Sequence, residues 1–369
     1  MSYYKTEVCG AYTQAPPLIP DQDSWLEQLF STTPIVLPET TETVEQHLRY
    51  KTTVSATAAN ISPTQRAVKR NILALIEATT DHSYATFFIP KATGGLRQIN
   101  APNEHLKEKM RLVKKDIENV LNLHPHDAAH AYVKQRSVLT ALQVHQKNQS
   151  NWFLKLDLKD FFPAHTEDYT MQQLNQLWLK DALPIPELVA FASYNGGLPQ
   201  GTPLSPLLTN LCMTPIDYKI TQALSSAYRY TRYADDLLIS SRVDFAPDPI
   251  IRQIENVLRT EGCPFTINAA KTRYGSAAGR NWNLGLMYNK DKAITLGHQK
   301  KQRLRAAINN FLRDFTNGIL WTTMDVQHLQ GLLAYFKHIE PNYALYVFNE
   351  YSQKYNCELK HAIKTCLNN

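Results

Sequence analysis

The chain has 369 residues, 43% of them hydrophobic, and a net charge of +6. That length and composition bury a real core and predict two or three subdomains rather than one. No apolar run reaches the roughly 18 residues of a membrane span, the first residues lack a basic-then-apolar leader, and the five cysteines include no Cys-x-x-Cys pair. A membrane partner, a disulfide framework and a structural zinc site are therefore not expected, and a reduced, cytoplasmic setting is. The charge is unevenly spread: residues 1–50 carry two Lys/Arg against seven Asp/Glu, and residues 271–369 carry fourteen against six. The basic C-terminal excess suits a polyanionic partner.

In chain order, residues 1–50 are rich in Pro, Thr and acidic residues, with a helical patch at Trp25 to Phe30, and read as an irregular extension. Helical spacing runs from Ser62 to Ala78 with Pro63 in the first turn. Tyr84 to Pro90 and Leu96 to Asn100 flank Gly94-Gly95 and predict a β-hairpin. His105 to Leu123 reads as an amphipathic helix, Trp152 to Leu158 as a buried strand, Thr170 to Leu179 and Leu204 to Leu224 as helices. Tyr228 to Ser240 reads as a hairpin with Ala234-Asp235-Asp236 at its tip, Pro249 to Glu261 as a helix, and Pro264 to Asn268 as a strand. Past Gly297 the pattern is almost wholly helical. Antiparallel hairpins mixed with helices indicate an α+β fold.

Three stretches carry chemistry. In Tyr230-Thr231-Arg232-Tyr233-Ala234-Asp235-Asp236-Leu237-Leu238 two adjacent carboxylates sit between strand-like apolar runs. Adjacent carboxylates repel, and a hairpin tip keeps them only if a cation offsets the charge. Mg²⁺, which takes a few carboxylates plus phosphate oxygens, suits that role. In Phe153-Leu154-Lys155-Leu156-Asp157-Leu158 an apolar strand ends on Asp157, whose carboxylate meets the Asp235-Asp236 tip if the strands are neighbours. Three carboxylates from two strands form a two-metal site of the kind used in phosphoryl transfer. Gly196-Gly197-Leu198-Pro199-Gln200-Gly201 makes a rigid loop that brings backbone close to a ligand.

Together, in this order, the three stretches resemble the reverse-transcriptase family from about Tyr84 to about Tyr346, and most closely its bacterial retron and phage-defence members. The resemblance implies a right-hand polymerase: an N-terminal extension (residues 1–60), fingers and palm (61–285), and primer grip with helical thumb (286–369). It makes Asp157, Asp235 and Asp236 the catalytic residues and the ligands of two Mg²⁺ ions, with Mn²⁺ as a substitute and the Leu158 carbonyl assisting. Phe88-Ile89-Pro90-Lys91, Gly94-Gly95, Arg97 and Ala101-Pro102 look like the fingers hairpin, with Lys91 and Arg97 on the triphosphate. Phe162 matches the aromatic gate that screens the 2′ position of the sugar, and Gln200 a contact to the nucleotide. Asn268-Ala269-Ala270-Lys271-Thr272 looks like the motif whose lysine lies near the nucleotide. Leu284, Gly285 and Leu286 resemble the primer-grip turn. Gln302 to Phe311 and Val326 to Tyr346 would form the thumb. The charge pattern puts Lys300, Lys301, Arg303 and Arg305 near one face at the start of that thumb, facing nucleic acid.

The expected activity is RNA-directed DNA synthesis from dNTPs on a dedicated noncoding RNA template, in antiviral (phage) defence, with an effector protein or a second copy of the chain as further partners. Two departures from the retron pattern stand out. Ala141-Leu142-Gln143-Val144-His145 keeps only the histidine of Asn-Ala-x-x-His, and Asn283-Leu284-Gly285 replaces Val-Thr-Gly. Those elements are linked to handling the retron's own RNA, which favours a stand-alone defence enzyme over a retron enzyme making RNA-linked DNA. A template-independent DNA-synthesising relative and a non-catalytic RNA-binding scaffold would also use this fold. The presence of all three aspartates speaks against the scaffold.

Overall fold

The structure, a computed structural model, describes residues 26, 29–31, 63–90, 94–120, 125–177, 182–277 and 283–368. The chain divides after Ser276 into two compact units. The first holds the described residues from Pro63 to Ser276 and opens with helix α1 (Pro63–Glu77), the hairpin β1 (Tyr84–Pro90) and β2 (Leu96–Pro102), and helix α2 (Glu104–Val120). Leu106, Met110, Val113 and Ile117 recur at helical spacing and are fully buried, which is why α2 packs one face on α1. Helix α3 (Val138–Lys147) begins at a capping box in which Ser137 and Thr140 satisfy each other's backbone.

The central sheet is antiparallel, in the order β4 (Tyr228–Tyr233), β5 (Asp236–Ser241), β3 (Trp152–Asp157), β6 (Arg273–Ser276). Its apolar face packs on α7 (Ser205–Ala223) and α8 (Pro247–Thr260), with Leu154, Leu156, Leu237, Ile239, Ile216 and Ile254 in one core. Between β3 and α7 lie the short helix α4 (Phe161–Ala164), α5 (Glu167–Gln176) and α6 (Ile185–Ala192). The second unit contains the small hairpin β7 (Met287–Tyr288) and β8 (Ile294–Thr295), then helices α9 (His298–Thr316), α10 (Thr323–Ile339), α11 (Pro341–Lys354) and α12 (Leu359–Leu367). Leu26 and Leu29 are buried in this unit, and the Phe30 ring lies 5.5 Å from that of Phe348. The α+β class expected from the sequence is the one observed. No helix among the described residues is long and apolar enough to cross a membrane.

Three expectations are corrected. Pro264 to Asn268 is not a strand: Ile267 makes a single bridge with Leu158, Ala269–Lys271 is a 3-10 turn, and pairing with β3 resumes only at Arg273. The segment lies antiparallel beside the end of β3 for that one bridge only, with the Lys159 amide donating to the Thr266 carbonyl at 2.9 Å and the Asn268 amide to the Asp157 carbonyl at 2.7 Å, and Phe265 is buried against Phe161. The expected helix from Thr170 begins at Glu167, because Thr166 caps it by accepting from the Tyr169 amide at 3.3 Å. Val326 to Tyr346 is two helices, broken at Glu340, where Pro341 opens the next.

Candidate active site

The three aspartates meet at one end of the sheet. Asp157 ends β3 directly opposite Asp236, the first residue of β5, so both lie on the same face. Asp235 occupies the two-residue connection between β4 and β5, where Ala234 takes a left-handed conformation at φ 56. The Leu158 amide donates to the Asp235 carbonyl at 2.9 Å and ties the strand end to that turn. Two lysines reach the carboxylates: Lys271 Nζ lies 2.9 Å from Asp157 Oδ2 and Lys155 Nζ 3.1 Å from Asp236 Oδ1. Asn268 donates its amide to the Asp157 carbonyl at 2.7 Å and its side chain to Oδ1 at 3.3 Å.

Burial, followed by the charge of Asp236, pushes the Asp235 carboxyl up to about 6. Burial also raises Asp236, against the pull of Lys155. The cluster is therefore short of positive charge even with two ammonium groups on it. A hard, all-oxygen donor set in that condition fits a divalent cation of the Mg²⁺ type. Among the described residues no three His, Cys, Asp or Glu side chains gather tightly enough to hold one ion, and Lys271 and Lys155 occupy Asp157 and Asp236. Metal binding at Asp157 would require Lys271 to let go.

Phe162, half-buried, stands on the short helix α4 after β3, its ring 5.5 Å from Phe161 and 6.3 Å from Tyr132. The Gln200 carbonyl accepts from the Asn100 amide at 2.9 Å, which binds the glycine-rich loop to β2. That approach needs Gly201, at φ 116: a Cβ there would lie 2.9 Å from Ile99 Cγ2 and 3.0 Å from the Asn100 carbonyl oxygen. Arg97 is exposed on β2, opposite Ile89. Lys91 lies outside the described residues. In the second unit, Leu284 and Gly285 form a left-handed turn at φ 53 and 77, closed by the Asn283–Leu286 bridge, with Leu286 fully buried. Lys300 Nζ donates to the Gly285 carbonyl at 2.7 Å. Lys301 pairs with Glu340 at 2.7 Å, Arg305 pairs with Glu350, and Arg303 is exposed. Two of the four cations expected to face nucleic acid are thus ion-paired with α11 or the residue that caps it.

Sequence reasoning missed four residues. Lys155 sits two positions before Asp157 and so on the same strand face, a period-two signal that was legible. Arg232 and Asp217 form a fully buried pair under the Asp235 turn: Arg232 Nε lies 2.9 Å and Nη2 2.8 Å from the Asp217 oxygens, and Nη1 donates to Asn210 at 3.1 Å and to the Ala234 carbonyl at 3.3 Å. A charge inside an apolar helix and another inside an apolar strand were the available signal. Tyr132, from a loop, gave no local signal. His145, linked by the retron pattern to RNA handling, is fully buried between the hydroxyls of Ser240 (2.6 Å) and Thr231 (2.8 Å), and burial lowers it to about 3. It fastens α3 to the sheet as a neutral ring and is out of reach of RNA.

The family model for reverse transcriptase (RNA-dependent DNA polymerase) matches residues 89–302, more than half the chain. The chain belongs to the reverse-transcriptase family. It is 30% identical to the retron Ec73 reverse transcriptase of Escherichia coli, over 74% of this chain and 87% of that one. The retron Ec83 reverse transcriptase of the same organism is 29% identical over 72% and 86%, and the retron Mx162 reverse transcriptase of Myxococcus xanthus 31% over 63% and 54%. Among solved structures, apo telomerase from Candida tropicalis aligns at 12% identity over 88% of this chain and 67% of that one, with a TM-score of 0.47, too low to add anything. This reverse transcriptase is thus of the bacterial retron type and an RNA-directed DNA polymerase, which takes an RNA template and yields a DNA product; its family generally uses divalent metal ions.

Proposed function

We propose that this reverse transcriptase copies a dedicated structured noncoding RNA into DNA, using Asp157, Asp235 and Asp236 to hold two Mg²⁺ ions. The observation that carries this reading is the convergence of three carboxylates from β3 and the β4–β5 turn, opposed by Lys155 and Lys271. Bound there, the metal ions supply charge to the attacking and leaving oxygens of nucleotidyl transfer. The protein's own part is placement. The β3–β5 register sets Asp157 against Asp236, the Leu158 amide fixes the Asp235 turn, and Lys271, once released from Asp157, is free to reach an incoming triphosphate. Phe162 serves as the sugar gate, Gln200 and Arg97 line the nucleotide side, and Lys91 belongs to the same set by sequence. Leu284, Gly285 and Leu286 form the primer grip, at the head of the second unit, with fingers and palm in the first unit and the helical thumb in the second.

The similarity to three retron enzymes favours a retron role, in which the template is the chain's own partner RNA and the product is RNA-linked DNA. The changed residues at 283–285 favour the second reading, a stand-alone enzyme of phage defence. Sequencing the nucleic acid that co-purifies separates them: a branched RNA–DNA molecule supports the first, unlinked DNA the second. The shared chemistry is tested with purified protein, dNTPs, Mg²⁺ and an RNA template with a DNA primer. Wild type should yield complementary DNA, and Asp235→Asn and Asp236→Asn none, with folding intact. Normal synthesis by either variant would refute the two-metal assignment.

A further inference from the structure

Residues 125–136 contain no helix or strand, yet the segment is fastened at several points. The Ala128 carbonyl accepts from the Arg232 amide at 2.6 Å, and the His130 amide donates to the Arg232 carbonyl at 2.8 Å. Arg136 donates to the carbonyls of His126 (2.9 Å) and Ala129 (2.8 Å), and Asn210 donates to that of Ala131 at 2.8 Å. What these bonds present is Tyr132, held in the left-handed region at φ 60. A bulky aromatic residue adopts that conformation only where its surroundings impose it, and such strain gathers at functional sites. The Tyr132 ring stands edge-on to Phe162, at 6.3 Å and 68°. Its phenol lies in the field of Asp235 and Arg97; burial, followed by the Asp235 charge, pushes it up to about 12, so it stays neutral beside the carboxylates. Phe162 meets Phe161 as well, at 5.5 Å and 79°, so two rings from different segments of the first unit hold a third that is only half-buried.

A ring that screens a sugar must resist swinging aside when a 2′-hydroxyl presses on it. Phe161 lies in the core on the same short helix α4; Tyr132 comes from a different segment of the chain. We propose that Tyr132 is a second specificity-determining residue of the nucleotide site, a positioning residue that holds the Phe162 ring in place against the sugar. The inference rests on the reading of Phe162 as the gate.

The test compares kcat/KM for dNTP and rNTP incorporation by the full chain on an RNA template with a DNA primer, a ratio that the folded fraction of a preparation does not change. Tyr132→Ala should relax discrimination against rNTPs by about three- to tenfold, the worth of one aromatic pair, and Tyr132→Leu, which better fills the space, should relax it in the same direction. Tyr132→Phe keeps the ring and should keep the wild-type ratio. The double variant with Phe162→Ala should be no more permissive than Phe162→Ala alone, since Tyr132 acts through that ring. Wild-type discrimination in both Tyr132→Ala and Tyr132→Leu, with Phe162→Ala relaxed, would overturn this inference and leave the gate standing. Additive effects in the double variant would overturn the coupling. An unchanged ratio in Phe162→Ala would overturn the gate reading, and this inference with it.

Discussion

At the scale of single residues, Asp235 shows how the site trades stability for charge. Its carboxyl, ordinarily near 3.8, is raised to about 6 by burial and by Asp236. In the metal-free protein the native state therefore holds a proton between about pH 4 and 6 that the unfolded chain releases. Stability from this group falls as pH rises through that window and stays lower above it. Asp235→Asn removes the penalty, so the metal-free variant should match wild type near pH 4 and exceed it at pH 8 by on the order of 1–2 kcal/mol after solvent screening. Thermal melts with a chelator at the two pH values check this; an equal difference at both would mean an unperturbed carboxyl. The same proton competes with metal, so the Mg²⁺ needed for half-maximal synthesis should rise as pH falls below about 6. The aspartates were legible because paired carboxylates between two apolar strands need a counter-cation. Tyr132 was not, because a loop tyrosine looks the same in sequence whether it faces solvent or a nucleotide pocket.

Among elements, the β4–β5 hairpin depends on α7 beneath it. Arg232 and Asp217 are fully buried, and Tyr230 donates to the same carboxylate at 2.7 Å. Removing one member leaves an uncompensated buried charge, so Asp217→Asn should destabilise the protein by about 3–5 kcal/mol, whereas Tyr230→Phe, which deletes one hydrogen bond, should cost about 1–2 kcal/mol. Urea midpoints measure both, and a near-neutral Asp217→Asn would show that the pair does not hold the turn. The elements themselves were mostly visible in sequence, since α2 repeats its apolar residues at helical spacing and β3 is a short apolar run. The failures came where tertiary contacts overrode local pattern. Pro264 to Asn268 has strand-like residues, but it spends them on burying Phe265 and delivering Asn268 and Lys271 to Asp157. The α10–α11 break at Glu340 serves a carboxylate that takes Thr295 at 2.6 Å and Lys301 at 2.7 Å.

For the whole molecule, charge is the property that no single element carries. The acidic first fifty residues and the basic last hundred predict salt-dependent binding of RNA. With Lys301 and Arg305 paired to Glu340 and Glu350, replacing Lys300, Lys301, Arg303 and Arg305 together by Ala should lower the salt slope of affinity by about one or two units rather than four. Filter binding across salt concentrations measures the slope; an unchanged slope in a folded variant would move the RNA elsewhere, and a loss of four would mean the ion pairs open on binding. The sequence by itself determined the α+β class, through local periodicity, and the family, through the resemblance of its motifs, and it singled out three aspartates that the structure brings to one end of the sheet. Only the tertiary structure decided which cations oppose the aspartates, that His145 is a buried strut, and that Tyr132 backs Phe162. Those are contacts between segments distant in the chain, and neither hydrophobic period nor turn chemistry encodes which of them meet.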